Sequence, residues 1–466
     1  MLMSEELFGE GAWDLPRRLN PLDNLLWRSE SDPQLRSPNM LVLLLDRAPE
    51  WERFAAGHEW ATRMVPRLRE RPTPPLLRPL APVWIPDPEF DAGRHLRRAA
   101  LPGPAGRREL LDLAEALITA PFDWSRPPWE SLLIESVQWE GRAMAAWLIR
   151  YHHCLADGTV LLSWLDGLLS RSPEPRWDKL QPPPPEPRGT SRARLPLPDL
   201  VHEATQALHR PAHALAEKRR ALRTVADVCI GQAGPLSPLL ADRSSDRRVD
   251  LVKVPTEPLM ASARAADVTL QDAIFAGVVG GFRRYHEQAG VAVPPTLATV
   301  MPLALHTGPA RAGNRFGAIR LAAPMDDGDP RSRLTAVHDL IARAADAFSP
   351  AGLDALVTLA SQLPAPLMKD MGRRLGRSYD LQVSTVGGFF RPLFVSGASV
   401  EDAFGVGPLP GSAAMAFVLP RPAGSSVTLT VDPAAVTDPP GLAECVEEGF
   451  AEVMHLAPDR AERSDP

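Results

Sequence analysis

The sequence predicts an α/β fold, in the broad sense that includes α+β, divided into two domains. Strand-like and helix-like segments alternate in both halves of the chain. A proline-dense stretch from Pro173 to Pro198 separates those halves. The 466 residues also exceed the roughly 250–300 at which a single hydrophobic core stops growing. No internal repeat is visible in the sequence.

The first clear strand signal is Ala145 to Tyr151, a short and mostly apolar run. From Gly158 to Leu169 apolar residues recur at helical spacing, so His152 and His153 fall on a strand-to-helix turn. The segment from Ser172 through Pro187 to Pro198 cannot continue a helix or a central strand and favours extended polyproline II geometry, as an interdomain linker would. Asp199 to Val225 reads as helical with an interruption at Pro211. Arg247 to Pro255 alternates like a strand and opens the second domain. Thr269 is placed to cap a helix that starts at Leu270. Lys369, Arg373, Arg374 and Arg377 recur at helical spacing behind an apolar run. They fit either phosphate and lipid-headgroup contacts or a solvated helix face.

Composition removes several function classes. Hydrophobic residues at 44% and charged residues at 23% are ordinary for a globular protein, and a net charge of −6 with a pI near 6.0 argues against nucleic acid as a partner. Cys154, Cys229 and Cys445 are odd in number and widely spaced, so neither a disulfide framework nor a zinc motif is expected. The first residues carry acid rather than a basic and apolar signal, and no apolar stretch reaches the roughly 18–20 residues that span a bilayer. A cytoplasmic protein is expected, with any membrane or lipid-droplet contact peripheral.

The chemistry concentrates in His152-His153-Cys154-Leu155-Ala156-Asp157-Gly158. An imidazole with an ordinary pKa of about 6.5 can take a proton at working pH, and two adjacent side chains on a turn diverge. Only one histidine can therefore face a substrate. His153 is the candidate general base and His152 the supporting residue packed behind the turn. Asp157 is spaced to fold back and fix the loop, and Gly158 permits a close approach that a Cβ would block. Cys154 beside His153 allows a covalent nucleophile on paper, but neighbouring side chains on a tight turn point apart. His153 and Asp157 could share a metal, yet no third ligand has matching spacing. No metal is expected. The chain also lacks G-x-S-x-G, G-x-G-x-x-G and P-loop elements.

This HHxxxDG turn comes with flanking elements. Phe122-Asp123, Pro128-Trp129-Glu130-Ser131-Leu132-Leu133-Ile134-Glu135, Asn20-Pro21-Leu22-Asp23 and Gly313-Asn314-Arg315-Phe316-Gly317 accompany it. Together they resemble the bacterial wax ester synthase/acyl-CoA:diacylglycerol acyltransferases over roughly residues 19–455. The resemblance implies two chloramphenicol-acetyltransferase-like sandwich domains with the active site at their interface. It frames the chain as an extension (1–18), a first domain (19–172), a linker with connecting helix (173–246) and a second domain (247–466). It also implies direct transfer from acyl-CoA to a lipid hydroxyl, with acyl-CoA a substrate and no cofactor. Asn314, Ser384 and Thr385 are then candidate substrate-binding residues, the last two as oxyanion donors. Three elements depart from the family pattern: Gln271-Asp272 stands where Asn-Asp is usual, Ser384-Thr385-Val386-Gly387-Gly388 lacks an Asn and prolines, and His306 replaces an Arg. These departures keep two alternatives open, acylation of a specialised alcohol or amine, and a non-catalytic relative that binds acyl lipid or a partner protein.

Overall fold

The computed structural model describes residues 16–74, 82–175, 219, 236–304 and 316–457. Within them lie two six-stranded mixed sheets and a two-stranded ribbon. Most of the expected linker and connecting helix, together with His306, Asn314 and Arg315, lies outside the described residues.

The chain enters the described part at helix α1 (Pro21–Ser29), where Asn20 Oδ1 accepts the Asp23 amide at 2.7 Å and Pro21 occupies the first turn. Both residues suit a helix start, one by capping a free donor and the other by needing none. Strand β1 (Pro38–Leu45) follows and is buried along its whole length, as its unbroken apolar run Met40 to Leu45 requires for a central strand. After helix α2 (Trp51–Met64) come the ribbon strands β2 (Glu70–Thr73) and β3 (Val83–Pro86), edge strand β4 (Leu96–Ala99) and helix α3 (Arg107–Thr119). Strands β5 (Trp129–Trp139) and β6 (Arg142–His152) form the long hairpin that ends at the histidine turn, and α4 (Gly158–Leu168) leaves it. The expected strand and helix on either side of the turn are both present.

The second half supplies β7 (Arg248–Val254), α5 (Thr256–Ala265), α6 (Leu270–Gln288), β8 (Thr296–Ala304), β9 (Phe316–Pro324), α7 (Pro330–Ala347), α8 (Pro350–Gln362) and α9 (Ala365–Gly376). It continues with β10 (Leu381–Thr385), β11 (Phe394–Val395), β12 (Ala398–Val406), β13 (Ala414–Leu419), β14 (Ser425–Val431) and α10 (Pro439–Met454). Its sheet runs β7-β14-β13-β10-β8-β9. The first sheet runs β11-β12-β1-β6-β5-β4, so two of its strands come from the second half of the sequence. β12 pairs antiparallel with β1 from Met40↔Val406 to Leu45↔Val400.

Three apolar clusters result. One fills the second sheet against α5, α6 and α10. The other two lie on opposite faces of the first sheet, one under α3 and the other under α2 and α4. Helix α3 also reaches the second sheet, where Glu115 Oε1 accepts the Val249 amide at 2.8 Å. At Gly405 on β12 a Cβ would stand 2.3 Å from the Phe417 ring of β13, so a missing side chain lets the two sheets meet closely.

Thr269 caps α6 as expected, and Asp272 completes a reciprocal box by accepting the Thr269 amide at 2.9 Å. The basic cluster lies on α9 and its C-cap, and two of its four charges are paired. Arg373 pairs with Asp32 at 2.7 Å and Arg374 with Asp370 at 2.9 Å. Arg28 donates to the carbonyls of Ser361 and Leu363, binding α1 to the end of α8. No helix among the described residues is long and apolar enough to cross a membrane.

Candidate active site

The hairpin β5–β6 delivers the two histidines in different environments. Backbone pairing persists through the turn, since the His152 amide donates to Pro128 O at 3.0 Å and the His153 amide to Ser37 O at 2.9 Å. Strand alternation therefore extends to position 153. It sets His153 on the face of Tyr151, Ile149 and Trp147, and His152 on the opposite one with Arg150 and Leu148.

His152 is fully buried. The Cys154 amide donates to its Nδ1 at 3.1 Å, and the edges of Phe122 and Trp124 enclose the ring at 5.9 and 4.9 Å between centroids. Its Nε2 lies 3.2 Å from Glu30 Oε2, off hydrogen-bond alignment. That geometry makes His152 part of the turn's support. His153 is half-buried.

Asp157 is the N-cap of α4, its Oδ1 accepting the Val160 amide at 2.8 Å. A short acceptor at this position satisfies a helix donor that has no other partner and anchors the loop to the helix. Gly158 follows, and a Cβ there would come within 2.9 Å of Val386 Cγ1. The turn of the first half thus abuts the end of β10 in the second. Burial pushes the Cys154 thiol well above its usual range, which leaves it protonated and a poor nucleophile.

Ser384 and Thr385 lie at that end of β10. Leu381 and Val383 belong to the helix-side core, so alternation directs Thr385 with them and Ser384 with Gln382 to the other face. Two hydroxyls on opposite faces cannot serve one oxyanion. The Val386 amide is already donated to Val418 O at 3.2 Å. Asp272, at the divergent pair, is buried and takes His338 Nδ1 at 2.8 Å besides closing its helix cap. No group of His, Cys, Asp and Glu suited to a metal occurs among the described residues.

Sequence reasoning missed Glu30 and Trp124, and it singled out Val386 only as part of a departure from the family pattern, because each is joined to the turn only by tertiary packing. Phe122 had been noticed only as a flanking match; its ring stacks under the Arg150 guanidinium, 3.8 Å from centroid, and against His152.

Comparison with known proteins follows the same lines. The solved structure of the wax ester synthase/diacylglycerol acyltransferase from Marinobacter aquaeolei VT8 superposes with a TM-score of 0.64 at 20% identity, over 94% of this chain and 99% of that one. The first condensation domain of the calcium-dependent antibiotic synthetase gives 0.63 at 16% identity, over 96% and 98%. The expected pair of chloramphenicol-acetyltransferase-like sandwiches is therefore the fold observed. A curated Mycobacterium tuberculosis protein named as a diacylglycerol O-acyltransferase is 33% identical over 471 aligned residues, 97% of this chain and 94% of its own length. The wax ester synthase/diacylglycerol acyltransferase catalytic domain matches residues 19–274, and the C-terminal domain of the same family matches 312–454. With its HHxxxDG turn, its two-sheet fold and both domain matches, this chain belongs to the wax ester synthase/diacylglycerol acyltransferase family.

Proposed function

We propose that this protein is an acyl-CoA-dependent O-acyltransferase that esterifies a lipid hydroxyl, that of diacylglycerol or of a long-chain alcohol. The observation that carries the reading is the intact HHxxxDG turn, with His152 buried and His153 half-buried beside it, in a chain matched to the family across both halves. His153 removes the proton from the acceptor hydroxyl as its oxygen attacks the thioester carbonyl, forming the C–O bond. The tetrahedral oxyanion collapses, the C–S bond breaks, and the imidazolium returns its proton to the CoA thiolate. The step as written uses only side chains and the two substrates.

General-base assistance contributes about 10² to 10⁴ in rate, and juxtaposing donor and acceptor supplies much of the remainder. Oxyanion stabilisation falls to Ser384 or to backbone amides beyond Val386, since Thr385 turns toward the helix-side core. Contact with a membrane or lipid droplet is peripheral in this reading, and Leu359 of α8, Leu367 of α9 and Phe390 are among the exposed apolar side chains that could make it.

The test is incubation of the purified full chain with labelled long-chain acyl-CoA and separate diacylglycerol, fatty alcohol and amine acceptors. Ester formation with a lipid alcohol is expected, and His153→Ala should lower it by at least about 10². Amide formation alone, or undiminished transfer by a folded His153→Ala protein, overturns the assignment.

A further inference from the structure

Helices α2 and α4 lie over one face of the first sheet, and between them is a cavity of about 650 Å³. That size falls within the roughly 300–1,000 Å³ of ligand sites. Its floor includes Trp147 and Ile149, and its walls include Phe54 and Ala61 on one side and Leu161 and Leu165 on the other. The sheet face is the one that β6 alternation assigns to His153. Tyr151 and Leu155, each two residues from that base, line the cavity. The far end reaches Arg53 and Ser396.

Three polar side chains of the wall are linked to one another. Trp147 Nε1–H donates to Ser131 Oγ at 2.7 Å, Ser131 Oγ–H to His58 Nε2 at 2.9 Å, and His58 Nδ1–H to Phe54 O at 2.9 Å. Burial holds His58 down at about 4, so it is neutral at working pH and fits this proton arrangement. Such a weak base, oriented by a neutral carbonyl, does not make Ser131 a nucleophile. With every N–H and O–H of the trio used, the wall offers this network's donors to no phosphate or headgroup. It presents hydrocarbon and aromatic surface instead.

We infer that this cavity receives one long hydrocarbon chain of a substrate, laid between α2 and α4 from the base outward, so that chain length is read within the first sheet's own layer. The inference rests on the acyltransferase reading above. Gly57 lines the cavity, and a Cβ there would meet only Ser396 Oγ at an ordinary 3.6 Å. Gly57→Leu and Ala61→Leu should therefore fill the space without collapsing it.

Transfer is measured in two arms, one varying acyl-CoA length with a fixed acceptor and the other varying alcohol length with a fixed donor. Displacement of a fluorescent polyene fatty acid by C8 and C16 chains gives an independent binding readout. Each variant should lower kcat/KM for C16 relative to C8 by about tenfold or more in one arm, which identifies the chain, and should weaken C16 displacement alike with unchanged melting. Wild-type transfer with the same length preference in both folded variants and both arms overturns the cavity assignment alone. Wild-type protein that transfers nothing, yet loses C16 binding in the variants, overturns the acyltransferase reading and leaves the cavity standing.

Discussion

Glu30 and His152 face each other across 3.2 Å with both side chains sealed from water, although they arise from α1's C-cap and from β6. The Cys154 amide occupies Nδ1, which places the ring proton on Nε2, beside the carboxylate but off hydrogen-bond alignment with it. The Nδ1 lone pair of His152 is thereby taken by the backbone of its own turn. Glu30→Gln keeps an oxygen near Nε2 and should retain most of the transfer rate. Glu30→Leu removes the buried carboxylate that faces Nε2 across 3.2 Å and should lower the melting temperature. Thermal denaturation and rates measured on both variants check this. Equal melting of Glu30→Leu and wild type would remove Glu30 from the support of the turn.

Cys154 should be dispensable. Its thiol is held protonated by burial, so Cys154→Ala is expected to transfer acyl groups at a rate within a few-fold of wild type. Mass spectrometry of wild type mixed with acyl-CoA alone should show no adduct. A thioester on Cys154, together with ping-pong kinetics, would replace direct transfer by a two-step mechanism.

The contact between Gly158 and Val386 predicts a compensating pair. Gly158→Ala puts a methyl 2.9 Å from Val386 Cγ1 and should destabilise by about 1–3 kcal/mol, as overpacking does. Val386→Ala makes room for it. In a double-mutant cycle read by denaturant unfolding, the double variant should recover part of that loss. Strict additivity would mean that the turn and β10 do not touch in solution.

His338 gives a pH-dependent prediction. Its hydrogen bond to Asp272 raises its pKa above the usual 6.5. A raised folded pKa contributes stability that is complete below the unfolded value and fades as pH climbs through the folded one. His338→Ala should therefore lower Tm relative to wild type more at pH 5.5 than at pH 9. A difference that is the same at both, or larger at pH 9, would contradict the ion pair. The side chain is 39% exposed, so solvent screening keeps the effect small.

What the sequence made legible was local. Tyr151 to Gly158 announced a strand, a turn and a helix because periodicity and a capping acid are written in consecutive residues, and Thr269 announced its helix for the same reason. The helical spacing of Arg373 and Arg374 was equally visible. The partner of Arg373, Asp32, was not, because it comes from a distant part of the sequence, whereas Arg374 and Asp370 are an i,i+4 pair of one helix. Ser384 and Thr385 were grouped by adjacency, whereas the pleat divides them. The membership of β12 in the first sheet had no local signal at all, since a buried strand reads the same in either sheet.

That borrowed strand limits how the protein can be taken apart or recombined. Cut before the second half, the first would present β1, whose Met40 to Leu45 run is wholly apolar and buried, as a bare edge with unpaired amides. Such an edge invites pairing with other chains. A chimera joined at the linker would have to carry β1 and β12 as a matched set, or else place a mismatched partner against β1, the strand beside the one that carries the histidines.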